Sequence, residues 1–556
     1  MFRRSILIVL IALAAESQSP GSPPVAQTTF RISGTVVDAV RGDALPDVDV
    51  SIALSQAETL LKTETTGPDG RFEFHGLAAK KYELTARGRG YLQQGYEQHH
   101  AFFTAIVTGP GLVSEDLIFK LKPESAISGT VTDEFNDPVE SAEVLLFITD
   151  PTENPPGIAL RRKDTTSDSG DFSFGHLQAG SYYLAVVAKP WYARNEEDQD
   201  DKEGAPSEVS SSVEETRPAA ISEKYHHAQL DVAFQTMYYP NVTDPDMATP
   251  IALKPGQQAT VDFRLFTVPA LRLKIRGSPI SENAVSSVKL SEHIFSYSRQ
   301  VGSQVIGLDG AELNGLAPGH YLAEYAKQPA GQPLQQQLDL GADVEISPGE
   351  SSKIASTVEG TVLLGGKEPC LRCTIRLINI PSWKMFDAQN SDKGFRIEGG
   401  VPPGRYFVFV LKQEGYLIRD ITAVGGHVVG TDLEIPAHAN VRLAVAMTKD
   451  VATIDGVAVR DGKPASQAAV FLVPDDPARK RMLFRRDQSD SDGTFALRAV
   501  LPGDYRVVAL AEGWDLEWTN PAVLSSYLAG GTKVRVEGTS NYHVQVTEQP
   551  LGGASK

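Results

Sequence analysis

The chain has 556 residues, 52 Lys and Arg against 70 Asp and Glu, a net charge of −18 and only two cysteines. That length exceeds one hydrophobic core and implies about four to six domains. The acidic balance argues against nucleic-acid binding, which needs a basic footprint, and against anionic membrane surfaces.

In chain order, Arg3-Arg4 precede an apolar run from Ile6 to Ala15 and a proline-rich stretch at Pro20 to Pro24. This pattern predicts an export signal over residues 1–17, because the run is too short to span a bilayer. The twin arginines are weak evidence for a particular route. No later segment is long and apolar enough for a membrane helix, so the mature chain is expected outside the cytoplasm: periplasmic, outer-surface or secreted.

The next feature is a phrase that occurs five times. Gly70-Arg71-Phe72-Glu73-Phe74 leads to Tyr82, Gly170-Asp171-Phe172-Ser173-Phe174 to Tyr182, and Gly493-Thr494-Phe495-Ala496-Leu497 to Tyr505. In each the tyrosine lies twelve residues beyond the glycine. Gly394 to Tyr406 keeps the twelve, and Gly310 to Tyr321 is one shorter. Asp or Ser before the glycine marks a tight hairpin, and the alternating apolar pair marks a half-buried strand. Leu316-Ala-Pro-Gly-His-Tyr321 and its counterparts then turn a corner. A tyrosine after such a corner belongs to Greek-key sandwiches, where its hydroxyl bonds back to upstream backbone. The corner tyrosines are therefore Tyr82, Tyr182, Tyr321, Tyr406 and Tyr505.

Each phrase has a matching start: Ile32-Ser-Gly-Thr-Val36, Ile127-Ser-Gly-Thr-Val131, Val358-Glu-Gly-Thr-Val362 and Ile454-Asp-Gly-Val457, with a weak third opening at Ile275-Arg-Gly277. A proline-led second strand follows, as in Pro138…Val144-Leu145-Leu146. Short strands with turns at this spacing predict an all-β chain of tandem Greek-key, Ig-like sandwiches. The expected units are 29–122, 123–268, 269–352, 353–448 and 449–548, forming a rod or arc. The second carries an acidic insertion at 195–237: nine of the twenty residues from Glu196 to Glu215 are Asp or Glu. Its composition is that of a solvated segment, with a metal-binding loop as the sharper alternative. Partial helical spacing of Ile221, Tyr225, Leu230 and Phe234 predicts one helix over 218–237.

The pattern G-T-V…P…V-x-L…D-x-G-x-F-x-F…L-x-P-G-x-Y resembles the carboxypeptidase regulatory-like domain of exported bacterial proteins. The resemblance covers units one, two, four and five well and unit three loosely. It implies a transthyretin-like sandwich, grouped by fold with starch-binding modules, and an accessory rather than catalytic role.

Motifs for chemistry are thin. H-E-x-x-H, H-x-x-E, G-x-S-x-G and the P-loop are all missing. The His99-His100 and His226-His227 pairs make poor chelates, since neighbours on a strand face opposite ways, and are read as surface histidines. Asp490-x-Asp492-Gly493 is read as hairpin punctuation. Cys370 and Cys373 enter a sandwich strand without the helix that a redox C-x-x-C needs. A local disulfide is the leading reading, with a zinc or catalytic role as the alternative. No cofactor or metal is expected.

Binding rests on rings. Tyr91, Trp191, Tyr416 and Trp514 recur nine or ten residues after the corner tyrosines, where they either cap the sandwich end or stack on sugars. Trp383, Trp518, Tyr238 and Tyr239 lie outside the repeat and are better ligand candidates. The sequence thus points to a non-catalytic surface protein with Trp383, Trp514, Trp518, Tyr238, Tyr239 and Trp191 as carbohydrate-binding candidates. The rival is a structural spacer or scaffold for other envelope proteins.

Overall fold

The computed structural model describes residues 29–55, 60–150, 157–190, 193, 231–277, 284–328, 334–348, 356–380, 385–411, 415–430, 432–477, 481–518 and 520–552. The export-signal residues, Trp191, Trp383, His226-His227 and most of the acidic insertion lie outside them. The described chain is almost entirely β-strand, with one four-residue α-helix at Pro521–Leu524.

All five copies share one pairing rule. The opening strand of each lies antiparallel to the strand after the hairpin glycine: Phe30–Asp38 with Arg71–Leu77, Ser125–Thr132 with Asp171–Leu177, Leu271–Ile275 with Ala311–Leu316, Ser356–Leu364 with Phe395–Val401, and Ala452–Arg460 with Thr494–Val500. On its other side it lies parallel to the copy's closing strand, such as Leu117–Leu121 or Asn440–Thr448. The proline-led strand pairs with the corner-tyrosine strand in the facing sheet, for example Glu143–Asp150 with Gly180–Val187. Between the two sheets of each copy sits an apolar cluster, from Ile32 to Leu121, Ile127 to Leu265, Leu271 to Leu340, Val358 to Met447 and Ala452 to Val546.

The repeated residues have repeated jobs. Gly70 has φ of +72°, and a Cβ there would lie 2.7 Å from the Val36 carbonyl oxygen; the other four hairpin glycines are held the same way. Glycine alone takes that conformation without strain. The opening glycine serves a different need: at Gly129 a Cβ would lie 1.6 Å from the Val261 oxygen, so only glycine lets the closing strand approach. Each corner tyrosine donates its hydroxyl to the carbonyl four residues upstream: Ala78 at 3.1 Å, Gln178 at 2.8 Å, Ala317 at 2.7 Å, Pro402 at 2.6 Å and Leu501 at 2.7 Å.

A further device repeats at the turn. Four residues before the hairpin glycine stand Thr66, Thr166, Asn390 and Ser489, all buried. Each side chain bonds backbone across the turn. Thr166 Oγ1 donates to the Val139 carbonyl at 2.6 Å and accepts from the Ala142 amide at 2.8 Å. Thr66 and Ser489 do the same with Leu45 and Val48, and with Ala465 and Ala468. Asn390 reaches Val362 and Cys370. In the third copy the position is Ile306, also buried.

Two expectations are corrected. The C-terminal part of the helix expected over 218–237 is strand: Val232–Phe234 pairs with Thr267–Pro269, and Met237–Tyr238 pairs with Gly180–Val187. Edge pairing there overrides a spacing compatible with one helical turn. Of the expected rod or arc, the rod is excluded, because the first and fifth copies touch through residues separated by 384 to 413 positions.

Candidate functional site

The contact between the first and fifth copies is, among the described residues, an extended polar cluster outside the repeated scaffold. The fifth copy contributes its hairpin, Ser489 to Gly493, and the strand Arg485–Gln488 leading into it. The first copy contributes Lys81, at the start of its corner strand Lys81–Arg87, and the segment from Glu97 to Val107.

Lys81 Nζ donates to Asp490 Oδ2 and to Thr494 Oγ1, both at 2.6 Å. The other Asp490 oxygen accepts the Ala105 amide at 3.0 Å. The Ser491 amide donates to the Ala105 carbonyl at 3.0 Å, and the Val107 amide to Ser491 Oγ at 2.8 Å. Gln488 Nε2 donates to the Glu97 carbonyl and to Thr104 Oγ1, each at 2.7 Å. Gln488, Ser489, Thr104 and Ala105 are all buried. Polar groups removed from water need such partners.

Rings close the contact. His99 stacks on Trp514 with centroids 4.9 Å apart and planes 11° apart, and Phe102 lies 6.2 Å from the same indole. The Arg486 guanidinium sits 5.1 Å from the centroids of both Phe102 and Trp518, an arrangement that favours a cation. Burial moves the titrating groups. His99 is held below its ordinary value, mainly by loss of water, with the Gln488 bond opposing. Burial also raises Asp490 despite its Lys81 partner, and pushes Asp487 up to about 6.

Beside this contact lies a cleft of about 990 Å³, with Lys81, Glu83 and Phe103 on one wall and Asp455, Arg498 and His543 on the other. Its charges are mixed. Among the described residues no group of His, Cys, Asp or Glu is placed to share a metal ion, and none of the described helices is long and apolar enough to cross a membrane. The arrangement grips through hydrogen bonds and stacking.

Four of the six expected sugar platforms fall among the described residues, and three of these are buried. Trp514 is 4% exposed, under His99, and Trp518 is 8% exposed, packed on Phe471 and Phe484. Tyr238, 3% exposed, meets Phe295 of the third copy with centroids 5.2 Å apart, and so belongs to the junction of copies two and three. Tyr239 packs, partly buried, on the second core. Trp514, Trp518 and Tyr238 present no open ring face, because each covers apolar surface that would otherwise meet water. Tyr91 and Tyr416 likewise pack on the first and fourth cores. Cys370 and Cys373, both buried in the fourth core, lie at disulfide distance with Cα atoms 5.5 Å apart.

Sequence reasoning missed His99, Thr104, Gln488, Asp490 and Ser491. His99 was read as a surface residue and Asp490 as turn punctuation. No local pattern separates a hairpin that faces water from one that faces another copy.

Residues 31–102 and 126–212 match the model of the carboxypeptidase regulatory-like domain. No match was found among curated proteins. Among solved structures, the chain is similar to the TIE protein of Bacillus anthracis, at 11% identity over 78% of this chain and 75% of that one, with a TM-score of 0.17. It is also similar to a streptococcal ancillary pilin (11% identity, 58% and 99% covered, TM-score 0.19). Two B repeats of the Staphylococcus aureus collagen binding protein give 11% identity, 76% and 100% covered, and a TM-score of 0.13. Scores this low carry no functional argument. The stretches that match this model fall in the first two repeats of the all-β chain, whose opening strands follow the pairing rule common to all five copies.

Proposed function

We propose that this chain is a non-catalytic protein of the cell exterior, built from five sandwiches at 29–122, 123–268, 269–352, 353–448 and 449–548 and exported by residues 1–17. It acts by holding a protein partner in place, as a scaffold or adhesion module. The observation that carries this reading is the burial of Trp514, Trp518 and Tyr238. Rings buried in this way are not available to stack on sugars, so the scaffold reading gains at the expense of the carbohydrate reading. Mixed charge in the 990 Å³ cleft, with Phe103 on its wall, suits a peptide surface better than a uniform polyol.

The test is a paired screen of the mature chain. Glycan and peptidoglycan arrays are expected to stay blank, while cross-linking pull-downs from the native envelope recover a stoichiometric protein. A glycan signal abolished by Trp383→Ala or Tyr239→Ala, with the fold intact, would restore carbohydrate binding. Hydrolytic turnover by the purified, metal-free protein would overturn the non-catalytic reading.

A further inference from the structure

Backbone bonds mark the same two positions in four of the copies. The first is Leu45, Val139, Cys370 or Ala465, whose amide donates to the opening strand at Val36, Val131, Val362 or Ala458. The second, three residues on, is Val48, Ala142, Cys373 or Ala468, whose carbonyl accepts the amide of Thr66, Thr166, Asn390 or Ser489. All eight residues are buried. We infer that the Cys370–Cys373 bridge is a redox-sensitive latch on the fourth copy, joining covalently the two positions that a side-chain hydroxyl joins in the first, second and fifth.

Three observations carry it. First, the hydroxyl in the sister copies holds both positions at once. Thr66, Thr166 and Ser489 each donate to the carbonyl of the first position, at 2.6 to 2.7 Å, and accept the amide of the second, at 2.8 to 3.0 Å. The hydroxyl thereby fixes the turn that enters the second strand, which starts at the next residue: Asp49, Glu143 and Ala469.

Second, the fourth copy makes only half of that staple. Asn390 Nδ2 donates to the Cys370 carbonyl at 2.9 Å, but Oδ1 accepts the Val362 amide at 3.1 Å, and among the described residues no side chain bonds the Cys373 amide. That amide has a 3.4 Å bond to the Cys370 carbonyl, which is long for an N–H···O bond. The sulfur bridge spans these two residues, whose Cα atoms lie 5.5 Å apart. It stands where the missing half of the staple would be.

Third, these are the only two cysteines in the chain, so redox conditions address one copy and leave the others alone. The latch closes when two thiols pass two electrons and two protons to a disulfide oxidant: one S–S bond forms here as the oxidant's own opens to two thiols. Such pairs stay open in a reducing cytoplasm and close outside it. A chain exported as proposed above therefore gains its full fourth-copy stability only after transit. Closing so short a loop restricts the unfolded chain by a factor of roughly 20. When the latch is open, the thiols are small buried hydrophobes, and the Cys373 amide keeps only its long turn bond.

The test is hydrogen exchange by mass spectrometry on the full chain. Cys373→Ala installs the residue that the second and fifth copies carry at this position, Ala142 and Ala468. Relative to oxidised wild type, its peptides from Thr374 to Leu411 are expected to lose protection by roughly 10- to 100-fold, with Val144 to Val187 unchanged. Dithiothreitol, once the mass shows both thiols free, is expected to do the same to wild type and nothing to the variant. A variant as protected as oxidised wild type, or a reduced wild type that loses nothing, overturns the proposal. The reverse exchange is made in the second copy, where Val139→Cys and Ala142→Cys are added to Thr166→Val. In oxidised glutathione the new pair is expected to close and to return Val144 to Val187 to within about threefold of wild-type protection, which reduction removes again. Thiols that stay free in oxidised glutathione, or a closed bridge that restores nothing, show that sulfur and hydroxyl do not serve one purpose and refute the latch.

Discussion

Thr166→Val removes a hydroxyl and little volume, which makes it a clean probe of the buried staple that recurs before the hairpin glycine. Thr166 Oγ1 donates to Val139 at 2.6 Å and accepts from Ala142 at 2.8 Å, and the residue is buried. Valine leaves a buried amide and a buried carbonyl without partners. Both orphans are uncharged, at about 1–2 kcal/mol each, so the second sandwich is expected to lose about 2–4 kcal/mol. Against a domain stability of roughly 5–15 kcal/mol this is large. A chain of several domains does not unfold in one step, so the readout must be local. Hydrogen exchange followed by mass spectrometry on peptides covering Val144 to Val187 provides it. Protection there is expected to fall by roughly 30- to 1,000-fold, at tenfold for each 1.4 kcal/mol, while peptides of the fourth copy stay unchanged. Ser51→Ala is the control, since its bond to Thr63 is exposed, and a change within about 0.5 kcal/mol is expected. If Thr166→Val matches that control, the staple contributes nothing and the reasoning fails.

The burial that depresses His99 gives the junction a pH dependence: its contribution is full above the unfolded value of 6.5 and is lost as pH falls through the folded value. Trp514 emission is expected to shift on acidification, and His99→Phe, which keeps the stack without titrating, is expected to abolish the shift. Asp487 has the opposite sign. Raised to about 6, it favours the fold most below 3.8, and that contribution disappears as pH climbs through 6. Asp487→Asn should flatten the slope of the fifth copy's urea midpoint between pH 4 and 6, and an unchanged slope would assign it elsewhere. Trp518→Ala opens a cavity beside Phe471 and Phe484 and is expected to destabilise the fifth copy by about 3–5 kcal/mol. A stable variant that merely lost a ligand would contradict the packing role given to this ring.

The phrase from Gly70 to Tyr82 and its four relatives was legible because hairpin, strand and corner are local events, each written in adjacent residues. The opening glycines were legible as a motif, yet their reason is tertiary: Gly129 is small because Val261 passes over it. Thr66, Thr166, Asn390 and Ser489 sit at constant distance from the glycine and went unread because polar residues near a turn look like ordinary turn formers. Their burial is decided by strands far off in sequence. Phe234 and Met237 show the reverse error, where a helical spacing was outweighed by free sheet edges at Thr267–Pro269 and Gly180–Val187.

From the amino-acid order alone came the all-β class, the five-fold repeat and the register of its turns, since a strand's alternation and a glycine's backbone freedom act within a few residues. Which rings face water was decided only in three dimensions. Trp514 and Trp518 carry the same sequence signature whether they meet a sugar or protein; Trp518 is covered by its own copy, and Trp514 by His99 of a copy whose Lys81 lies 409 residues from Asp490 in sequence and 2.6 Å from it in space. Apolar and polar groups are satisfied by whatever surface arrives, and which surface arrives is set by how the copies are joined and packed, which no single copy encodes.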